Sequence, residues 1–213
     1  GVPDILPVRG KAEAGNGQWM GLKTTDETIL RSVSRLPLFA GLLGLALRHF
    51  GHSFSIHEQS PALREVGAGI TLWPNATRLL FALGLRDALG AVAVEPVAQK
   101  LMHCETGQVL QTFPRAQATR DAYGAPLYQL HRRDLHDILL SAVESRAPGS
   151  IHLGQEAVGV DQAGSGARVR FADGTHVGAD LVVGCDGIKS RVRQQVFGHE
   201  APRFTNIIAW RAL

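Results

Sequence analysis

Apolar residues change their spacing repeatedly along the chain, and each change predicts an element. Residues 42–50 carry leucines at helical spacing, and Gly51 closes the run. Over Ser53–His57 the period drops to two, with Phe54 and Ile56 on one face, so a short strand is expected, followed by the acid Glu58. Pro74-Asn75 opens a second helix through Ala76, Leu79, Leu80 and Leu83, with Gly84 as its stop and a further apolar turn over Leu85–Leu89. Val97–Cys104 and Gln108–Phe113 alternate around Glu105-Thr106-Gly107, which predicts a hairpin.

The block from Leu127 to Arg146 gathers Leu135, Ile138, Leu139, Ala142 and Val143 on one face of an amphipathic helix. Asp134 and Asp137 suit its first turns, Arg146 its last, and Pro148-Gly149 ends it. Ile151–Leu153 and Ala157–Val160 are short strands, and Ala167–Phe171 pairs with Thr175–Val177 across the turn Ala172-Asp173-Gly174. Leu181–Val183 is continuously apolar, as expected of a strand buried on both faces of a parallel sheet. It breaks at Gly184, delivers Asp186-Gly187 to the carboxyl edge, and is followed by a helix over Ile188–Phe197. Such alternation of helices and strands predicts an α/β, doubly wound (Rossmann-like) nucleotide-binding domain with antiparallel hairpins inserted.

Residues 1–35 hold no sustained period and read as loop, disorder, or a short strand near Thr28–Val33. A doubly wound domain should open with an apolar strand leading into Gly-x-Gly-x-x-Gly. The nearest fit, Phe39-Ala40-Gly41-Leu42-Leu43-Gly44, lacks the first tight turn.

Composition narrows the class. The chain has 213 residues, 45% of them hydrophobic, enough for one full core and part of another. Its net charge of +3 comes from scattered basic residues, with only a short cluster over Lys189–Arg193, so a nucleic-acid partner is not expected. Cys104 and Cys185 share no ligand-like spacing, and His131 and His136 lie about 140° apart around a helix. No metal site is expected, and the plain reading is a reduced, cytoplasmic protein. The apolar run Leu36–Leu47 follows Arg31 and Arg35 in the manner of a signal-peptide core. It is too short to span a bilayer and no small-residue cleavage pattern follows, so it reads as a buried helix.

Candidate chemistry concentrates in two stretches. In a βαβ nucleotide-binding unit an acid ending the second strand accepts hydrogen bonds from ribose hydroxyls, which makes Glu58 a candidate. The glycine-rich turn Val66-Gly67-Ala68-Gly69-Ile70 would let backbone approach a flat or charged ligand. The run from Glu58 to Leu80, EQSPALREVGAGITLWPNATRLL, resembles the flavin-dependent aromatic hydroxylases of the salicylate hydroxylase type. GCDGIKSRVR, residues 184–193, is similar to that family's Asp-Gly motif, and Leu130-His131-Arg132-Arg133-Asp134-Leu135 is similar to its Leu-His-Arg-x-Asp-Leu run.

The resemblance implies FAD as cofactor, with NADH or NADPH as electron donor. It implies that Glu58 holds the FAD ribose, that Gln59, Arg64 and Ala68 lie along the cofactor, and that Arg132 reaches it. Gly41 and Val158 are further cofactor-binding candidates, and Asp186 belongs near the pyrophosphate. No catalytic residue is assigned. For Asp186 a tight strand-to-helix turn capped by the acid stays open, as does a solvated role for Arg132 beside Arg133. The implied reaction transfers one oxygen atom of O2 to a salicylate- or hydroxybenzoate-like ring, and the oligomeric state is not read. An epoxidase or reductase on the same fold, and a non-catalytic remnant, are the alternatives.

The resemblance begins near Gly41, so a divergent start competes with a reading-frame change upstream of Gly41, the second being favoured. The chain ends before the family's third FAD motif, so a carboxyl-terminal truncation is expected. Residues 1–38 then carry no assigned element, and 39–198 form the FAD-binding domain, with hairpin 97–113 on the substrate side. Residues 199–213 begin a truncated substrate domain. With glycines lacking before the first helix and the carboxyl half missing, the chain is expected neither to hold FAD tightly nor to hydroxylate.

Overall fold

The computed structural model describes residues 30–34, 37–63, 69–163 and 166–208. In chain order the first elements are β1 (Leu30–Ser34), α1 (Pro37–His49), β2 (Phe54–Glu58), β3 (Gly69–Leu72), α2 (Pro74–Ala82) and α3 (Arg86–Val92). The hairpin strands β4 (Ala98–Met102) and β5 (Val109–Pro114) follow, then α4 (Gln117–Tyr123), β6 (Tyr128–His131) and α5 (Arg132–Arg146). The last are β7 (Ile151–Leu153), β8 (Ala157–Ala163), β9 (Gly166–Phe171), β10 (His176–Ala179), β11 (Leu181–Val183) and α6 (Arg191–Phe197).

Four strands form a parallel sheet in the order β11-β1-β2-β7. Leu30 lies opposite both Phe54 and Leu181, and Ile56 lies opposite Ile151. The strand considered near Thr28–Val33 is therefore present, as β1 over Leu30–Ser34 among the described residues, and it occupies the centre of the sheet. Its sequence, Leu-Arg-Ser-Val-Ser, is not the apolar run of a central strand, so pairing on both sides rather than composition defines it. A second correction concerns β11. Leu181 is 45% exposed, because β11 pairs only with β1 among the described residues and forms an edge.

Side chains on a strand alternate between faces, and this sheet uses both. Phe54 and Ile56 belong to a core with Leu38, Leu45, Leu135, Leu139 and Val143, so α1 and α5 cover one face. Gly44 makes this contact possible: a Cβ there would stand 2.5 Å from the Phe54 ring. Gly41 faces α5, where a Cβ would meet Leu139 Cβ at 3.5 Å. On the opposite face lies the antiparallel sheet β10-β9-β8, whose core of Ala157, Val169 and Phe171 takes in Val182. Adjacent residues of β11 thus go to different cores, Val182 to this one and Val183 to the helical one.

Pro37 suits the first position of α1, where a backbone N–H has no intrahelical partner. The helix starts earlier than residue 42 and ends at His49, just before Gly51, whose φ of +83° few other residues adopt at low cost. The antiparallel pair β3–β6 and the short helix α4 carry no clear periodic signal and are additions to the sequence reading. Hairpin β4–β5 forms as expected, with an irregularity between Leu101 and Met102. No helix among the described residues is long and apolar enough to cross a membrane.

Gly44→Ala tests the helix–sheet contact. Overpacking of this kind costs about 1–3 kcal/mol, against roughly 1 kcal/mol of helix propensity gained. A net loss in urea unfolding is expected, relieved when Phe54→Leu is added. Equal stability of Gly44→Ala and the parent would contradict the close packing.

Candidate functional site

The order of strands locates a crevice before any side chain is considered. The chain moves from β1 to β2 to β7 in one direction, then returns to place β11 on the other side of β1. Open α/β sheets bind ligands outside the carboxyl ends of the strands, at such a reversal. Because β2 and β11 are both parallel to β1, Glu58 and the turn leading to Asp186 lie at the same edge of the sheet.

Glu58 is 4% exposed, and its Oε1 accepts the N–H of Ser60 at 2.8 Å. A turn built by the acid's own neighbours thus fixes the end of β2. The following chain is fastened to the turn after β7: Gln155 N–H donates to the Glu58 carbonyl at 2.9 Å, and Gly154 N–H donates to the Ser60 carbonyl at 3.0 Å. Gln59, half-buried, sits within this double turn.

Asp186 is 8% exposed and performs a capping role. Its Oδ2 accepts the N–H groups of Arg191 at 2.6 Å and Val192 at 3.2 Å, two of the donors that a helix start leaves without partners. Ser190 Oγ accepts the N–H of Arg193 at 2.9 Å and completes the cap. The open reading of a tight capped turn therefore describes the local geometry, and it moves the helix start from Ile188 to Arg191. Gly184 is needed here for space, since a Cβ would stand 2.8 Å from Val192 Cβ. Oδ1 of Asp186 is buried and accepts no hydrogen bond among the described residues.

The remaining candidates are placed less uniformly. Arg132 is half-buried and is the first residue of α5, capped by His131, whose Nδ1 accepts the N–H of Arg133 at 3.1 Å. Gly41 is buried inside α1 against α5. Val158 is 37% exposed and is the extra residue of a bulge in β8, between Ala157 and Gly159. Arg64 and Ala68, with Val66-Gly67 of the glycine turn, lie outside the described residues.

Two residues without a sequence signal, His57 and Gln155, join the site. His57 is 3% exposed and stacks on His152, with ring centroids 4.7 Å apart, while Phe171 lies 5.0 Å from it. Its Nε2 bonds Ser55 Oγ at 3.0 Å and its Nδ1 bonds the side-chain oxygen of Gln155.

The acceptors at this edge accord with a dinucleotide carrying many hydroxyls. A buried carboxylate oxygen without a donor, as on Asp186, calls for an O–H or N–H group rather than a phosphate oxygen. FAD offers such hydroxyls on its ribose and ribityl chain, so the residues present fit that group.

Residues 40–213 match the family described as FAD binding domain, and the chain belongs to that family. It is 38% identical over 178 residues to 3-amino-4-hydroxybenzoate 2-monooxygenase of Streptomyces cremeus, covering 82% of this chain and 44% of the relative. Identity to 6-hydroxynicotinate 3-monooxygenase of Pseudomonas fluorescens is 35% over 179 residues, 82% of this chain and 46% of the relative. The chain thus spans less than half the length of these curated relatives. Among solved structures, the tetrameric form of 2-methyl-3-hydroxypyridine-5-carboxylic acid oxygenase gives a TM-score of 0.67 at 27% identity, over 81% of this chain and 43% of that one. Klebsiella pneumoniae HpxO complexed with FAD and uric acid gives 0.70 at 20% identity, over 82% and 43%, and bears on the fold alone.

Asp186→Ala removes the acceptor from two helix-start donors and should cost about 1–2 kcal/mol of stability. Asp186→Asn keeps an uncharged acceptor and should cost less. Chemical denaturation of both variants checks the order, and equal stability of Asp186→Ala and the parent would remove the cap from the account.

Proposed function

We propose that this chain is the FAD-binding portion of an NAD(P)H-dependent flavoprotein monooxygenase acting on an aromatic ring activated by a hydroxyl group, of the hydroxybenzoate kind. The observation that carries the reading is the convergence of Glu58 and the Asp186 turn on one carboxyl edge, across the reversal of strand order, in a chain of the FAD binding domain family. The named relatives act on hydroxylated benzoate and nicotinate rings, which supports the substrate class. Bound FAD would take reducing equivalents from NADH or NADPH and activate O2 for transfer of one oxygen atom to the ring.

Within this reading the chain's residues bind and orient. Glu58 accepts hydrogen bonds from the adenosine ribose, with Gln59 beside it on the same turn. Asp186 turns its second oxygen to a cofactor hydroxyl while the first holds α6. Arg132, at the start of α5, supplies positive charge toward the pyrophosphate, with Arg64, Ala68, Gly41 and Val158 as further contacts. Residues 39–198 form the FAD-binding domain, and 199–213 open the substrate domain.

The test is to purify the chain, titrate FAD, and read flavin absorbance and fluorescence. Saturable but weak binding is expected, because the start of α1 lacks the glycines of a close phosphate approach. Hydrogen bonds to a charged group are worth roughly 1.5–3 kcal/mol, so Glu58→Ala and Arg132→Ala should each weaken binding about 10- to 150-fold. A parent chain without saturable FAD binding would overturn the reading, and two variants equal to a binding parent would remove these residues from the site.

A further inference from the structure

Gln155 bridges two groups at the end of β2. Its backbone N–H donates to the carbonyl of Glu58, and its side-chain oxygen meets Nδ1 of the buried His57. His57 is held in turn by Ser55 Oγ on its other nitrogen, and by ring contacts with His152 and Phe171. Strand alternation sends Ser55 and His57 to one face of the sheet and Ile56 and Glu58 to the other. Gln155 therefore grips β2 from the side opposite to the Glu58 carboxylate. The neighbouring bond from Gly154 N–H to the Ser60 carbonyl fastens the far end of the same turn.

We propose that Gln155, anchored by His57, is a positioning residue that fixes the turn carrying Glu58 and thereby sets the affinity for the adenosine end of FAD. This inference rests on the reading that Glu58 binds the ribose. The chemistry is that of preorganisation: a carboxylate accepts two hydroxyls well only when its backbone is held, and freedom of the turn must be surrendered on binding. His57 suits the anchor because stacking fixes the ring plane. With the Gln155 oxygen as acceptor, Nδ1 carries the proton and Nε2 accepts the Ser55 hydroxyl. A Gln155→Leu change keeps the backbone N–H and the approximate volume, but it removes the acceptor that His57 faces. Gln155→Glu keeps an acceptor at the same reach.

The experiment is a double-mutant cycle between Gln155→Leu and Glu58→Ala, read by titration of the chain with FAD and by competition with AMP, which carries the adenosine end of FAD without its flavin half. Thermal unfolding is followed in parallel. Loss of FAD affinity by about five-fold in Gln155→Leu is expected from one neutral hydrogen bond, with the same loss for AMP and recovery in Gln155→Glu. In the Glu58→Ala background the Gln155→Leu change should cost little further affinity, since the positioned group is gone. Should Gln155→Leu lose its cooperative unfolding transition, Gln155→Met takes its place in the cycle. Additive losses would assign Gln155 a general structural effect and overturn the proposal, as would a Gln155→Leu variant that binds like the parent. If the parent binds FAD but Glu58→Ala has no effect, the ribose reading itself fails and this inference falls with it.

Discussion

Parallel pairing of β1 with both β2 and β11 is the constraint on which the rest of the structure depends. A parallel ladder fixes direction, so once β1 is central the ends of its two neighbours must emerge on one edge. Parallel strands also require crossovers that cover the sheet. Here α1 supplies the cover between β1 and β2, while the antiparallel sheet β8–β10 occupies the path from β7 to β11 and lies against the other face. The crevice at the reversal is a consequence of this winding, independent of which side chains stand there.

Both acids at that edge are committed first to the backbone. Glu58 closes its own turn through Ser60, and Asp186 holds the first donors of α6. Each is oriented by these hydrogen bonds before any ligand arrives. The charge of Asp186 is directed to the start of α6, where one oxygen faces the helix N–H groups and the positive end of the helix favours negative charge.

The sequence reading was strongest where one residue type can fill one role. The acid ending β2, the glycine after α1 and the Asp-Gly turn of β9–β10 were legible because turn and cap chemistry is local. It was weakest where tertiary pairing decides. Leu-Arg-Ser-Val-Ser at β1 has an ordinary composition and becomes a central strand only through two partners absent from its own window. Leu181 gave the opposite error: an apolar run suggested burial on both faces, but edge position leaves it exposed. His57 and Gln155 were invisible for the same reason, being far apart in sequence and joined only when β7 pairs with β2.

The glycines of α1 separate two requirements that a nucleotide-binding motif combines. One is close packing of helix on strand, which Gly44 meets against Phe54. The other is close approach of phosphate to the helix start, where free N–H groups and the helix dipole favour an anion. At that end Pro37 brings no N–H, and Phe39 stands 64% exposed within the first turn. The packing half of the motif is therefore intact while the approach half is built from bulkier residues. Because β1 is in place, the helix still points its N-terminus toward the carboxyl edge, and the shortfall is one of donors and space rather than of direction. Under the proposed reading, affinity for FAD should accordingly lean on the carboxylate turns at the ends of β2 and β11, whose geometry does not depend on glycines at the start of α1.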